Sequence, residues 1–168
     1  MKEHRLEFVT HRSPVVGTGG TVASSQPLAT AAGLAVLQKG ENAVDAAVAT
    51  AAALNLTEPG STGLGGDAFC LIYLAENRQV HALNASGRAP SALSLERLKK
   101  EGITTLPARH PYNVTVPGAC AGWCDAVGRY GRLDMSDVLA PAIKLAEEGF
   151  PATPITAHGW QASARLVL

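Results

Sequence analysis

The sequence predicts an α+β fold, a mixed unit of helices and strands around one core, and three observations carry that prediction. Hydrophobic residues make up 46% of the 168 and charged residues only 17%, a balance that supports one compact domain and argues against disorder. Alanine-rich segments of helical period alternate with short apolar runs of strand length, and glycine and proline punctuate the boundaries. No repeat, charge block or linker divides the chain, so residues 1–168 read as a single unit.

A polar leader, MKEHRLEFVTHRSPVV, precedes Gly17 to Ser25, where Thr, Val and Ala follow a glycine cluster and predict a short strand leaving a tight turn. From Pro27 the residues Leu28, Ala31, Ala32, Leu34, Ala35 and Leu37 form a broad apolar face. They predict a helix capped by Ser24 or Ser25 and closed at Gly40. Asn42 to Asn55 is apolar on nearly every side, which predicts a helix buried all round, with Asp45 placed to favour the positive end of its dipole.

Glu58 to Asp67 holds four glycines and a proline and must be a loop. Ala68 to Leu74 is a continuous apolar run and Gln79 to Asn84 alternates, so with Glu76-Asn77-Arg78 as the turn they predict a hairpin of two core strands. Ser94 can cap a short helix through Glu101, closed by Gly102, and Ile103 to Pro111 reads as a surface connection. Val114 to Gly118 reads as a strand ending in a turn, and Ala119 to Tyr130 as a helix stopped at Gly131. A last helix spans Ser136 to Glu148, with Pro141 marking a kink or a restart.

Fourteen basic residues balance fourteen acidic ones, so charge gives no reason to expect a nucleic-acid partner or an anionic membrane. No apolar run reaches the roughly 18 to 20 residues that span a bilayer, and the leader lacks the features of a secretory signal, so a cytoplasmic location is expected. Three cysteines form no closed disulfide framework. Cys120 and Cys124, at i, i+4 rather than C-x-x-C spacing, are expected to be small interior side chains, as is Cys70.

The glycine segments lack the third glycine of G-x-G-x-x-G and any following G-K-[ST], so no nucleotide cofactor is expected. Histidines 4, 11, 81, 110 and 158 show no paired ligand spacing, so no metal site is expected. No G-x-S-x-G elbow marks a nucleophilic serine. The glycines at 60 to 66 suit close backbone approach, to another core segment or to a ligand met by backbone N–H groups. Arg88 follows a core strand in Asn84-Ala85-Ser86-Gly87-Arg88-Ala89-Pro90. Its planar fork could hold a substrate carboxylate bidentately, or could simply tie two loops together.

Several ordered stretches resemble the gamma-glutamyltransferase (glutathione hydrolase) family. They are Gly19-Gly20-Thr21-Val22-Ala23-Ser24-Ser25-Gln26-Pro27-Leu28-Ala29, Gly40-Glu41-Asn42-Ala43-Val44-Asp45-Ala46-Ala47-Val48-Ala49, Glu58 through Phe69, Val116-Pro117-Gly118, and Leu139 through Phe150. The resemblance implies the N-terminal part of a four-layer αββα N-terminal-nucleophile hydrolase sandwich, incomplete in this chain. It also implies a self-cleaving precursor whose new terminal threonine attacks an amide with its own amine as base, and it implies no cofactor.

In such a protein the nucleophile opens a C-terminal small subunit, the partner of this segment. Thr104-Thr105, followed by Leu106-Pro107, falls far too early to be that processing site. No catalytic residue is therefore assigned here, and Arg88 is the one substrate-binding candidate. In family members proper the carboxylate-binding arginine falls where this sequence has Ser86. Arg88 lies two residues later, a displacement of about 6 to 7 Å along an extended chain. Ser-Gly-Arg-Ala-Pro and Gly-Gly-Asp are more similar to the branch of cephalosporin-acylase-like and oxamate-amidohydrolase-like members. The expected substrate is a small carboxylate-bearing amide; the alternative is a non-catalytic chain serving as a binding or interaction module.

Overall fold

The computed structural model describes residues 13–40 and 42–167. Most of the leader, with His4 and His11, lies outside the described residues, as do Glu41 and Leu168. Six α-helices and one hairpin are described: α1 (Pro27–Gln38), α2 (Ala43–Thr57), β1 (Ala68–Leu74), β2 (Gln79–Ala85), α3 (Leu95–Lys100), α4 (Ala119–Tyr130), α5 (Met135–Glu148) and α6 (Pro154–Val167). A 3₁₀ turn at Pro111–Asn113 follows α3.

α1 and α2 pack at close range because small residues line their contact. Ala29, Ala32 and Val36 of α1 and Ala46, Ala49 and Ala53 of α2 are all buried. A methyl group on Gly33 would strike the Thr50 hydroxyl and sit 2.9 Å from the Ala46 carbonyl. Thr50, inside this contact, donates its hydroxyl to Ala46 O at 2.7 Å, so no polar atom is stranded there.

The caps differ partly from expectation. Gln26, not Ser24 or Ser25, caps α1: its Oε1 accepts from the N–H groups of Leu28 at 2.6 Å and Ala29 at 3.2 Å. Ser24 instead bonds Thr30 at 2.7 Å and Ser25 donates to Glu58 at 2.8 Å. Asn42 caps α2, accepting from Val44 and Asp45 N–H at 2.9 and 3.1 Å, and its amide donates to the Tyr130 carbonyl. Ser94 caps α3 as expected, accepting from Arg97 N–H at 3.2 Å, and Gly102 follows with a positive φ of 71°.

β1 and β2 pair antiparallel, Leu74 opposite Gln79 and Ala68 opposite Ala85. Arg78 takes a positive φ of 56° in the turn, and Asn77 Oδ1 accepts from Gln79 N–H at 3.0 Å. Ala68, Cys70, Ile72 and Leu74, with Leu83, face the helices and join the core. The other face is open: Phe69, Leu71, Tyr73 and Val80 are 71%, 77%, 61% and 63% exposed.

Several expectations are corrected. Gly17 to Ser25 forms no strand; from 21 to 25 it alternates exposed with half-buried residues and lacks a ladder partner among the described residues. Val114 to Val116 forms no strand either, with one bond from Val116 N–H to Arg88 O at 2.9 Å rather than a ladder. α2 is not buried all round, since Ala43 and Ala47 are exposed.

α5 stays helical across Pro141 instead of restarting there. α6 goes beyond the predicted elements; Thr153 begins it, its carbonyl accepting from Ala157 N–H at 2.8 Å, and Trp160 meets Phe150 edge-on. Cys120 and Cys124 are exposed, and Cys70 is half-buried. The buried stripe of α4 is Ala119, Gly122, Trp123, Ala126 and Val127, which leaves positions 120 and 124 on its flank.

Asp45 is completely buried, but its carboxylate looks away from the start of α2. Its Oδ2 accepts from Arg132 N–H at 2.9 Å and its Oδ1 from the same group at 3.2 Å. Leu133 N–H lies 3.4 Å from Oδ1. The residue therefore locks the α4–α5 connection onto α2.

Candidate functional site

The glycine-rich loop begins where α2 ends. Ser61 and Thr62 N–H both reach back to Glu58 O at 2.9 and 3.2 Å, and Gly66 N–H closes a turn onto Gly63 O at 3.1 Å. Side chains at Gly63 or Gly65 would meet nothing within 4 Å. Packing within this chain therefore does not demand glycine at those two positions.

Gly66 and Asp67 join this loop to the two later segments. Gly66 O accepts from Gly118 and Ala119 N–H, both at 3.0 Å, satisfying the first donors of α4, which has no side-chain cap. Asp67 Oδ1 accepts from Gly87 N–H at 2.8 Å and from the Thr115 hydroxyl at 3.1 Å. These are charge-assisted bonds of the stronger kind.

Steric demand fixes the same corner. A Cβ at Gly87 would overlap the Val116 carbonyl, one at Gly118 the Ala85 carbonyl, and one at Gly122 the Ala85 side chain. Loop, strand end and helix start thus form one locked body. Asn84 adds an Asx turn, its Oδ1 accepting from Ser86 N–H at 2.9 Å.

Beside this corner lies an open cleft of about 490 Å³, walled by Asn55, Thr62, Gly63, Asp67, Phe69 and Trp123 among others. The Nδ2 of Asn55 is buried without a hydrogen-bond partner among the described residues. In the sequence Asn55 closes the apolar segment 42–55, and a polar residue late in an otherwise alanine-rich helix is the signal that marks it.

Arg88 sits on the exposed stretch that Asp67 anchors. Its backbone carbonyl does the tying, through Val116 N–H. Its guanidinium has no hydrogen bond or ion pair among the described residues, and it does not border the cleft. Thr104 and Thr105 lie in the connection after α3, between the Arg88 and Thr115 stretches in sequence.

Comparison with known proteins places these elements in context. A family model, Gamma-glutamyltranspeptidase, matches residues 29–167. The acylase ACY 1 proenzyme of Pseudomonas sp. (strain SE83) is 41% identical over 157 residues, 88% of this chain and 28% of that protein. The glutathione hydrolase proenzyme of Bacillus subtilis (strain 168) is 37% identical over 147 residues, 85% of this chain and 25% of that protein.

Among solved structures, the gamma-glutamyltranspeptidase of Helicobacter pylori superposes with a TM-score of 0.82 at 34% identity, over 89% of this chain and 44% of that one. The cephalosporin acylase of Bacillus halodurans gives 0.80 at 43%, over 96% and 31%. The chain thus spans between a quarter and three-tenths of the curated relatives' length, and it carries part of their N-terminal-nucleophile hydrolase fold. With the family model matched over residues 29–167 and the relatives sharing sequence and fold with it, the chain belongs to the gamma-glutamyltranspeptidase family.

Proposed function

We propose that this chain is the N-terminal portion of a self-processing amide hydrolase or acyltransferase acting on gamma-glutamyl or related carboxylate-bearing amides. In this reading the nucleophilic threonine lies outside the chain, on a C-terminal small subunit, and this segment supplies binding groups. Two relatives bear proenzyme names, which supports a processed precursor. The observation that carries the reading is the corner at Asp67. One carboxylate holds the glycine-rich loop, the Arg88 stretch and the Thr115 stretch together beside a cleft. Arg88, exposed on the anchored stretch and off the cleft wall itself, then offers a planar fork to the substrate carboxylate.

The Ser86 and Arg88 pattern favours the acylase-like branch over glutathione itself. The test is kcat/KM per processed molecule of the complete enzyme. Arg88→Lys is expected to lower it about ten- to hundredfold, the equivalent of one charge-assisted hydrogen bond. A kinetically silent Arg88→Lys, together with a gain of gamma-glutamyl activity in Ser86→Arg, overturns the Arg88 assignment. The 168-residue chain alone is expected to hydrolyse neither gamma-glutamyl nor acyl amides, and turnover by it overturns the placement of the nucleophile.

A further inference from the structure

α4 carries a pair of thiols that takes no part in the corner described above. Cys120 and Cys124 stand one turn apart on its exposed flank. At i, i+4 spacing their Cβ atoms are about 5 to 6 Å apart, and helical side chains lean the same way along the axis. The two sulfurs are therefore neighbours. Burial, first, and then the adjacent Cys120 thiol hold the Cys124 thiol above its ordinary value.

The spacing discriminates between chemistries. A disulfide needs Cβ atoms about 3.5 to 4.5 Å apart, so a direct S–S bond would distort the helix. A single soft atom inserted between the sulfurs, at about 2.3 Å from each as in metal thiolates, widens the bridge enough for the helix to stay intact. Among the described residues no group of three or more His, Cys, Asp or Glu could hold a metal ion, so a closed tetrahedral site is not the match. Two sulfurs are what the helix offers.

A further feature favours this pair: Cys120 borders a cavity of about 270 Å³ walled by Leu64, Trp123, Met135, Leu139 and Ile143. That cavity has room for an apolar substituent on the bridging atom.

We propose that Cys120 and Cys124 form a vicinal dithiol site for an organic trivalent arsenical, with arsenic bridging the sulfurs and the organic group in the apolar cavity. For an oxide R–As=O, two S–H bonds break and two As–S bonds form, and the oxygen leaves with both protons as water. Arsenic stays trivalent, so no oxidant or reductant is needed.

The probe is phenylarsine oxide added to the 168-residue chain, read by intact mass after challenge with excess monothiol. Wild type and Cys70→Ser are expected to retain one phenylarsenic group, released by a dithiol, with the helical circular dichroism unchanged. Cys120→Ser and Cys124→Ser are expected to retain it at least tenfold less tightly. A double variant, Cys124→Ala with Asp125→Cys, turns the second sulfur a further 100° or so around the helix. It is expected to bind at least tenfold more weakly than wild type when folded and equally well in urea. Retention in either single-serine variant, no retention in wild type, loss of helix on binding, or equal binding by the folded double variant overturns the proposal.

Discussion

Asp45→Ala and Asp45→Asn separate two physical roles for one buried carboxylate. If Asp45 acted only through the dipole of α2, where it is the third helical residue, either substitution would cost about 0.3 to 1 kcal/mol. The structure assigns it a larger role, since it accepts Arg132 N–H through both oxygens at 2.9 and 3.2 Å while fully buried. Hydrogen bonds to a charged group are worth roughly 1.5 to 3 kcal/mol, and partial access of water to Arg132 recovers some of that on deletion. Asp45→Ala is therefore expected to lower stability by about 2 to 4 kcal/mol. Asp45→Asn, which keeps one oxygen acceptor and loses the charge, should lower it by about half as much.

Gly131 supplies a second, coupled measurement. A methyl there would overlap Asp45 Oδ1 and also lie 2.7 Å from the Val127 carbonyl. Gly131→Ala should thus be less harmful in the Asp45→Ala background than in wild type, but still harmful, with a coupling of about 0.5 kcal/mol or more. Urea unfolding gives the free energies, and amide hydrogen exchange at Arg132 should accelerate in Asp45→Ala. Losses below 1 kcal/mol for both Asp45 variants, with unaltered exchange at Arg132, would refute the bracing role and leave only the dipole.

Ala49→Leu and Ala53→Leu, at positions with no exposed surface, should each destabilise by about 1 to 3 kcal/mol through overpacking. Ala47→Leu, on the open side of α2, should leave thermal unfolding nearly unchanged in this chain. Gly87→Ala should cost about 3 kcal/mol, the upper end of the overpacking range, because its methyl has only the Val116 carbonyl to displace. Gly65→Ala, with open space around it, is the matched control and should be silent in denaturant unfolding. Arg97, first, and then Tyr112 hold the Glu101 carboxyl below its ordinary value by hydrogen bonds at 2.9 and 2.8 Å. Its contribution is present above the unfolded carboxyl pKa and is lost as pH falls through the lowered folded one. The Tm difference between wild type and Glu101→Gln should therefore be small at neutral pH and vanish in acid.

How much of this fold could be read from the sequence depended on whether a signal was local. The hairpin, α3 with its Ser94 cap, and the stop of α4 at Gly131 are written in turn and cap residues within a few positions of each other. The cap of α1 was misplaced because Gln26, a less common capping residue than serine, won the contest through a longer side chain. The Asp67 corner was illegible because it joins residues 20 and 48 positions apart. The cysteines misled because a general preference for interiors says nothing about which side of α4 they occupy.

The remaining disagreements share a direction. Gly17 to Ser25 has the pattern of a strand and no ladder partner among the described residues, β1 has the continuous apolar composition of a strand covered on both faces, and α2 is alanine-rich even at exposed Ala43 and Ala47. In each case the sequence encodes more burial than this chain by itself provides. A continuous apolar strand is characteristic of sheets covered on both faces, and a four-layer sandwich supplies that second cover for the face carrying Phe69, Leu71, Tyr73 and Val80. The open face of the hairpin thus has the composition of a covered one. Within that architecture the corner fixed by Asp67 stands at the end of the strand pair, where β1 begins and β2 ends. The glycine-rich loop and the Arg88 stretch are accordingly held at one edge of the sheet, beside its open apolar face.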